Sequence, residues 1–348
     1  VPGMTKARPL NSLEALERDG LISADQVETL TPVTEHYALA VTAHVSRLID
    51  RTDPADPVAR MFVPSLDELT VLPEELNDPI GDKVHTPVEG IVHRYPNRVL
   101  LKPVAVCPVY CRFCFRREMV GPELGEALSP AALEAALDYV RQTPAVKEVI
   151  LTGGDPFMLS ARRAEALTAS LSDIPHVDII RWHTRMPVAD PSRITSQFVS
   201  ALKSASKAVY VSLHINHVRE FSEETKAAVR RMANAGIALI SQSVLLKGVN
   251  DTPDALAELM SALIAERVQP YYLHHPDLAP GTSHFRVSIE DGQALYQALC
   301  DRVSGLAVPR YVLDIPGGVS KANAAKSDIS SSNEGIVIRG RDNRLYRY

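Results

Sequence analysis

Six short apolar runs alternate with longer amphipathic segments in the middle of this chain, and that alternation constrains the fold more than any other feature. The segments between the runs, such as Pro130 to Gln142 and Glu223 to Ala235, carry apolar residues at helical spacing. Strands that alternate with helices form a parallel sheet, and a sheet of this size tends to curl. The runs are Val99 to Val106, Glu148 to Thr152, Val177 to Trp182, Ala208 to Leu213, Ala238 to Val244 and Gln269 to His274.

The regions on either side of these runs have different patterns. Helical segments begin at Ser12, Ser23 and Glu35, and a stretch interrupted by prolines follows from Pro54 to Pro87 without a sustained period. We therefore expect an α/β fold in three parts. These are an N-terminal helical extension and connector at 1–90, a partial (β/α)6 TIM-like barrel at 91–300 and a C-terminal extension at 301–348.

Composition excludes several classes of partner. With 348 residues and 45% hydrophobic content, the chain can bury a large core. Its net charge of -5 gives no sign of a nucleic acid or an anionic membrane as partner. No apolar run approaches the roughly 18 to 20 residues of a membrane span, and the N-terminus has no signal-peptide pattern. Only four cysteines occur, which is typical of a reducing compartment, so we expect a cytoplasmic protein.

Polar residues follow the apolar runs at the points where the predicted strands end. In α/β barrels the carboxyl ends of the strands form the active-site face, so these residues should converge on one mouth. Individually, a lone histidine or a Gly-Gly pair is more often structural. In chain order the residues are Cys107, Gly153-Gly154-Asp155, His183, His214 with Asn216, Gln242, and His275 with Asp277.

Three cysteines form the triplet Cys107-Pro-Val-Tyr-Cys111-Arg-Phe-Cys114 directly after the first run. Three thiolates on one loop can hold three irons of a cubane cluster and leave the fourth iron open to a ligand. A closed zinc site normally has four ligands, often as two C-x2-C pairs, and no fourth cysteine lies near this triplet. A set of disulfides is also disfavoured, because three is an odd number and Cys300 lies far downstream. A non-catalytic iron-sulfur or zinc-binding module remains an alternative.

The triplet, together with Gly-Gly-Asp-Pro after the second run, resembles the radical S-adenosylmethionine (radical SAM) superfamily. The string Cys-Arg-Phe-Cys-Phe-Arg-Arg is similar to its lysine 2,3-aminomutase branch, and the resemblance extends from about His93 to Lys321. It implies a barrel of the radical SAM type and an isomerase that converts L-lysine to β-lysine. It also implies three cofactors: a [4Fe-4S] cluster, S-adenosylmethionine and pyridoxal 5'-phosphate (PLP).

The resemblance assigns a role to individual residues. Lys321, at the end of Tyr311-Val-Leu-Asp-Ile-Pro-Gly-Gly-Val-Ser-Lys321, matches the lysine that forms an aldimine with PLP, and Lys326 is the alternative lysine. The cluster ligands are Cys107, Cys111 and Cys114, and the PLP phosphate partners are Arg94 and Arg98. The residues expected to contact S-adenosylmethionine are Gly153, Gly154, Asp155, His214 and Gln242.

The resemblance also assigns residues to the substrate. By resemblance, Arg116 holds the substrate carboxylate, while Asp277 and Asp314 hold the ε-ammonium of lysine. Two aspartates would repel the side-chain carboxylate of glutamate, so glutamate is disfavoured. The resemblance implies a reductant protein such as flavodoxin or ferredoxin, and a homo-oligomer. The branch that isomerises lysine for attachment to elongation factor P remains an alternative.

Overall fold

The computed structural model of the chain describes residues 9–125, 127–332, 335–339 and 344–347. The N-terminal part is helical, as predicted, and its helices begin at capped positions: the Ser12 side chain accepts a hydrogen bond from Ala15 N, and Thr42 accepts one from Val45 N. The segment expected to start at Glu35 is divided between two helices. The helices are α1 (Leu13–Arg18), α2 (Ala24–His36), α3 (Ala43–Leu48) and α4 (Pro57–Phe62).

Nine strands form one sheet whose spatial order equals their order along the chain. The strands β2 to β8 run parallel, whereas β1 and β9 pair antiparallel with β2 and β8. Their bounds are β1 (Ile91–Tyr95), β2 (Arg98–Val104), β3 (Glu148–Gly153), β4 (Ile179–Thr184), β5 (Ala208–His214), β6 (Ala238–Val244), β7 (Gln269–His274), β8 (Arg310–Asp314) and β9 (Lys321–Asn323).

Helices connect the parallel strands, and most of them start at a serine or threonine cap. Ser129, for example, accepts a hydrogen bond from Ala132 N, and Pro130 then occupies the first helical position, where a missing N–H costs nothing. Burial of one face of each helix against the sheet completes the α/β layers. These helices are α5 (Pro130–Arg141), α6 (Ala161–Ser172), α7 (Met186–Ala189), α8 (Ser196–Leu202), α9 (Glu223–Asn234), α10 (Pro253–Ala265) and α11 (Ile289–Arg302).

The large sheet is curled, so that its two edges approach each other. Arg94 lies on β1 at one edge and Asp314 on β8 near the other, yet Arg94 Nη1 is 3.9 Å from Asp314 Oδ1. Such an approach is impossible in a flat sheet of nine strands, in which neighbouring strands are about 4.8 Å apart. We call the place where these two edges meet the seam. The central strands β4 and β5 lie on the opposite side of the interior.

Two hydrophobic cores support the curled sheet. The larger core lies between the strands and the helices that cover them, and it includes Leu151, Trp182 and Leu263. The second core joins the N-terminal helices to the loop that follows β2, with Phe62 in the same cluster as Phe113. Because each buried large apolar side chain contributes about 1.5 to 3 kcal/mol, the helical extension holds this loop firmly.

All six predicted runs are strands, β2 to β7, and the predicted α/β fold is confirmed. The structure adds a seventh parallel strand, β8, in the stretch that we assigned to the C-terminal extension. It is only five residues long and has a charged residue at each end, so it gives little apolar signal. A separate antiparallel sheet follows, formed by β10 (Ile329–Ser332), β11 (Gly335–Arg339) and β12 (Leu345–Arg347).

Bilayer-spanning segments were sought among the helices of the described residues. None of these helices combines the length and the apolar character needed to cross a membrane.

Candidate active site

One cavity of about 640 Å³ lies at the carboxyl ends of the parallel strands and continues into the interior of the curled sheet. It reaches Glu148 and Arg310, which begin β3 and β8. Parallel α/β sheets bind their ligands at this end. The cavity is lined by every residue to which the sequence analysis gave a role: Arg94, Arg98, Cys107, Cys111, Cys114, Arg116, Gly153, Gly154, Asp155, His214, Gln242, Asp277, Asp314 and Lys321.

The loop with the three cysteines leaves β2 and is fastened to the N-terminal helices through its backbone. Tyr110 N donates a hydrogen bond to Ala40 O at 3.1 Å, and Arg112 N donates one to Met61 O at 2.9 Å. These bonds attach the loop to the helical extension at two points. The helical extension thus positions the cysteines as well as covering them.

The three cysteines form no disulfide within the described residues, and each is only partly exposed. Burial is the main cause that raises the pKa of Cys111 to about 12, the pKa of Cys107 well above its ordinary value, and the pKa of Cys114. The thiols therefore keep their protons until a metal displaces them.

The donor set suits an iron-sulfur cluster better than a single ion. Within the described residues, no three His, Cys, Asp or Glu side chains are grouped closely enough to hold one metal ion. A cubane cluster takes one thiolate per iron, so three neighbouring thiols need not converge on one point. The Cys107, Cys111 and Cys114 side chains fit that requirement because all three line the same cavity.

Two arginines beside the cysteines share one buried carboxylate. Glu68, in the connector, is fully buried and accepts hydrogen bonds from Arg112 Nη2 at 2.6 Å and from the Arg117 guanidinium. Although burial alone would raise the pKa of Glu68, the charges and hydrogen bonds of these arginines hold it below its usual value. The ionised carboxylate therefore ties the cysteine loop to the connector.

Gly153 and Gly154 let the end of β3 pass directly beside the residues that precede Cys107. Gly154 N donates to Val104 O at 2.8 Å. A Cβ atom added to Gly154 would lie 2.3 Å from Val106 O, a distance that backbone atoms cannot accommodate. A side chain at Gly154 would thus push the segment before Cys107 out of place.

Asp155 joins the ends of β3 and β4 from a buried position. Its Oδ1 accepts a hydrogen bond from Thr184 Oγ1 at 2.7 Å, and its Oδ2 accepts one from Arg185 N at 2.7 Å. The Arg185 side chain in turn pairs with the buried Glu220. Asp155 therefore connects the two strand ends and also lines the cavity. Its contact with S-adenosylmethionine stays a prediction.

His214 and Gln242 are neighbours in the register of β5 and β6, and both line the cavity. The His214 ring meets the Phe113 ring edge to face, with centroids 5.7 Å apart, which places it next to the cysteine loop. Burial, together with the charge of Arg185, lowers the pKa of His214 well below its ordinary value. The imidazole is therefore neutral, and its Nε2 is buried without a hydrogen bond to any described residue.

Lys321 and Asp314 face each other across the antiparallel pair β8 and β9, and the Lys321 Nζ donates a hydrogen bond to Asp314 Oδ2. His274 Nδ1 lies 3.5 Å from the same oxygen. Burial alone would raise the pKa of Asp314, but the hydrogen bond from His274 and the charge of Lys321 hold it well below the usual range. Asp314 is therefore a permanent anion in the cavity.

A tight glycine turn precedes Lys321 and packs against the connector. Gly317 and Gly318 both have φ near +80°, where a side chain would be strained. Gly317 N donates to Pro79 O at 3.0 Å, and a Cβ atom added to Gly318 would lie 2.0 Å from Ile80 O. The connector thus fixes the turn from which Lys321 enters the cavity.

Asp82, also in the connector, bridges two of the predicted ligand-binding arginines. This carboxylate is fully buried and lies 2.8 Å from Arg116 Nε and 3.2 Å from Arg94 Nη2. Despite the opposing effect of burial, these charges lower the pKa of Asp82. Asp82 accepts its hydrogen bond from Arg116 Nε, and Arg116 also lines the cavity.

Arg98, at the start of β2, has a different environment from Arg94. Its Nη1 donates to Asn97 Oδ1 at 2.9 Å, and its guanidinium stacks 3.7 Å from the centroid of the Tyr95 ring. No carboxylate pairs with it among the described residues, so its charge is available to an anion.

Asp277 is the second acidic side chain that we predicted to bind the substrate, and it lines the cavity with Asp314. Burial, reinforced by the negative charge of Asp314, raises the pKa of Asp277 to about 7. A cation placed between the two carboxylates would favour the ionised form of both.

The sequence does not indicate that two carboxylates of the connector belong to this site. Glu68 and Asp82 lie in a connector with no apolar period, and their arginine partners are distant in sequence. By contrast, His275, which we expected at the mouth, donates or accepts a hydrogen bond with Tyr311 Oη at 2.7 Å, and it does not line the cavity.

The sequence of the chain resembles those of characterised proteins. Residues 101–260 match the model of the radical SAM superfamily. L-lysine 2,3-aminomutase from Clostridium subterminale is 36% identical over 340 residues, which are 97% of this chain and 81% of that protein. The corresponding protein from Acetoanaerobium sticklandii is 37% identical and covers 94% of this chain and 79% of its own length. Glutamate 2,3-aminomutase from Clostridioides difficile is 33% identical over 90% of this chain and 73% of its own length.

These similarities span the helical extension, the curled sheet and the Lys321 turn. Radical SAM enzymes use a [4Fe-4S] cluster and S-adenosylmethionine, and PLP is typical of lysine aminomutases. The chain therefore belongs to the lysine 2,3-aminomutase family of the radical SAM superfamily, and it is an isomerase.

Proposed function

We propose that this enzyme is an L-lysine 2,3-aminomutase, which moves the amino group of L-lysine from C2 to C3 and gives β-lysine. The arrangement of charge in the cavity carries the proposal. Two carboxylates, Asp277 and Asp314, share the cavity with the Arg116 guanidinium. A free amino acid with a cationic side chain satisfies both ends of that arrangement, because each buried charge finds an opposite charge.

Each end of the substrate has a partner. Arg116 binds the α-carboxylate through its terminal nitrogens, while Asp82 holds its Nε and fixes the plane of the guanidinium. Asp314 and Asp277 bind the ε-ammonium. These contacts fix the length of the substrate and hold C2 and C3 in one place, which lowers the entropic part of the barrier.

The cofactor side uses the remaining predicted residues. Cys107, Cys111 and Cys114 each hold one iron, and Lys321 binds PLP, whose phosphate is neutralised by Arg94 and Arg98. S-adenosylmethionine is held by Gly153, Gly154, Asp155, His214 and Gln242. When bound, the cofactors supply a radical initiator and a conjugated ring that carries the migrating nitrogen, while the buried cavity excludes water.

Radical initiation needs one electron from outside the chain. A small reductant protein such as flavodoxin or ferredoxin delivers it in this proposal, and the enzyme acts as a homo-oligomer in the cytoplasm, where its thiols stay reduced.

Glutamate is the obvious competing substrate, since one relative is named a glutamate 2,3-aminomutase. A side-chain carboxylate between Asp277 and Asp314 would add a negative charge beside the Asp314 anion in a buried space, at a cost of several kcal/mol. The two acids therefore favour lysine over glutamate.

Anaerobic reconstitution tests the proposal. The protein is loaded with iron and sulfide, supplied with S-adenosylmethionine, PLP and a reductant, and given L-lysine, L-glutamate or L-alanine separately. We expect β-lysine from lysine and no isomer from the other two. A fully loaded cluster without β-lysine would overturn the proposal.

A further inference from the structure

Two polar side chains on neighbouring central strands face the cavity without a hydrogen-bond partner. His183 on β4 and Ser212 on β5 are paired in register, and both line the cavity. The His183 Nε2 and the Ser212 Oγ are shielded from solvent, and neither has a hydrogen bond within the part of the chain that the structure describes. Ser212 is only 2% exposed.

Unpaired polar atoms in such a position are costly. A buried donor or acceptor without a partner loses its hydration and gains nothing in exchange. Here two such atoms lie side by side on one wall of a ligand cavity. Their position points to a ligand that supplies the missing hydrogen bonds.

Lys321 lies across the cavity from this wall. It starts β9, beside the seam where Arg94 and Asp314 bring the two edges of the sheet together. The strands β4 and β5 are central in the sheet, so the curl puts His183 and Ser212 on the opposite side. His183 and Lys321 both line this cavity.

The geometry of PLP connects the two walls. Its ring nitrogen lies para to the carbon that bears the aldehyde, so a ring held at Lys321 directs its nitrogen away from the lysine. His183 and Ser212 line the cavity on the side away from the seam at which Lys321 lies.

His183 is suited to donate a hydrogen bond rather than a proton. Burial, followed by the positive charges of Arg181, Arg116, His274 and Lys321, lowers the pKa of His183 well below its ordinary value. The imidazole is therefore neutral and acts as an N–H donor.

We propose that His183 Nε2, with Ser212 Oγ beside it, holds the ring nitrogen of PLP by a hydrogen bond and keeps that nitrogen unprotonated. This inference rests on the proposed function, since it requires PLP at Lys321. An acidic partner would protonate the ring and strengthen its pull on electron pairs. A neutral donor leaves the ring uncharged while fixing its orientation.

The test uses the full-length protein and PLP labelled with 15N at the ring nitrogen. Absorbance titration gives the Kd for PLP, and 15N NMR gives the state of the ring nitrogen. In the unmodified protein we expect the signal of a neutral, hydrogen-bonded ring nitrogen. In His183→Leu we expect a shift toward the position of a free pyridine, and a Kd raised about tenfold, as the loss of one buried hydrogen bond predicts.

Two further variants keep the test independent of folding. His183→Gln retains a neutral N–H donor and should restore most of the affinity. Ser212→Ala should raise the Kd by about threefold, as the loss of a weaker hydrogen bond predicts. Ser241→Ala is the matched control, because the Ser241 Oγ is also buried and unpaired among the described residues but does not line the cavity.

The outcomes separate this inference from the proposed function. If the protein binds no PLP through Lys321, both are overturned. If PLP binds at Lys321 but His183→Leu leaves the Kd and the 15N signal unchanged, this inference alone is wrong. An equal effect of Ser241→Ala and Ser212→Ala would also contradict it, as would a protonated ring nitrogen in the unmodified protein.

Discussion

Lys321 donates a hydrogen bond to Asp314, its register partner across β8 and β9, and so neutralises a carboxylate that is assigned to the substrate. His274 supports the same carboxylate from 3.5 Å. In the proposed function, PLP bound at Lys321 would take this cation from Asp314 and leave the carboxylate available for the ε-ammonium of lysine. The proposal therefore predicts that cofactor loading and substrate recognition are coupled through one ion pair.

Asp314→Asn should abolish lysine turnover without disturbing radical initiation. Removing one member of a buried ion pair costs about 3 to 5 kcal/mol, so we expect kcat/KM for L-lysine to fall by more than about 100-fold. S-adenosylmethionine cleavage should remain measurable, because Asp314 is not assigned to the cluster. Asp178→Asn, at an exposed site before β4, is the control. Normal lysine turnover in Asp314→Asn would refute the substrate role.

Lys321→Ala should remove PLP from the protein. We expect no absorbance from a covalent PLP adduct and no label after borohydride reduction, while iron and sulfide content stays normal. Lys326→Ala serves as the comparison, because it changes the nearby lysine outside the cavity lining and should leave both signals intact. A borohydride label that persists in Lys321→Ala and disappears in Lys326→Ala would reverse the assignment.

Asp277 should make the stability of the cofactor-free protein depend on pH. Its pKa is raised from 3.8 to about 7 by burial and by Asp314. Between these values the unfolded chain has lost the proton and the folded protein still holds it, so stability falls as pH rises through this window. Above about pH 7 Asp277 is ionised in both the folded and the unfolded protein, and the free energy of unfolding stays at its lowered value.

The Asp277→Asn variant lacks this cost. Thermal unfolding at pH 4 and pH 8 should therefore show a melting temperature near that of the parent protein at pH 4 and a few degrees above it at pH 8. The same difference at both pH values would show that Asp277 titrates normally in the folded protein.

Asp82→Asn should weaken binding more than it slows the chemical step. The substitution removes the charge that orients both Arg94 and Arg116, and hydrogen bonds to charged groups contribute about 1.5 to 3 kcal/mol. We expect the KM for lysine and the Kd for PLP each to rise about tenfold or more, with a smaller change in kcat. An unchanged KM with a reduced kcat would show that Asp82 does not act through the arginines.

Much of this site follows from the sequence because its residues occur directly after apolar runs. The strands β2 to β7 are apolar enough to be recognised. Cys107 follows such a strand, His214 ends one, and Gln242 lies near the end of another. Glu68 and Asp82 could not be anticipated, since they act through ion pairs formed only when the connector folds over the barrel. The short strand β8 was not among the six apolar runs, because five residues with charged ends give no clear period.

The central claim is that Asp277 and Asp314 select a cationic side chain, and a competition assay tests it most directly. The reconstituted enzyme is incubated anaerobically with equal concentrations of 13C-labelled L-lysine and L-glutamate, and both products are followed by NMR in the same tube. We predict that β-lysine forms while glutamate remains unchanged. Formation of β-glutamate with lysine left intact would contradict the account.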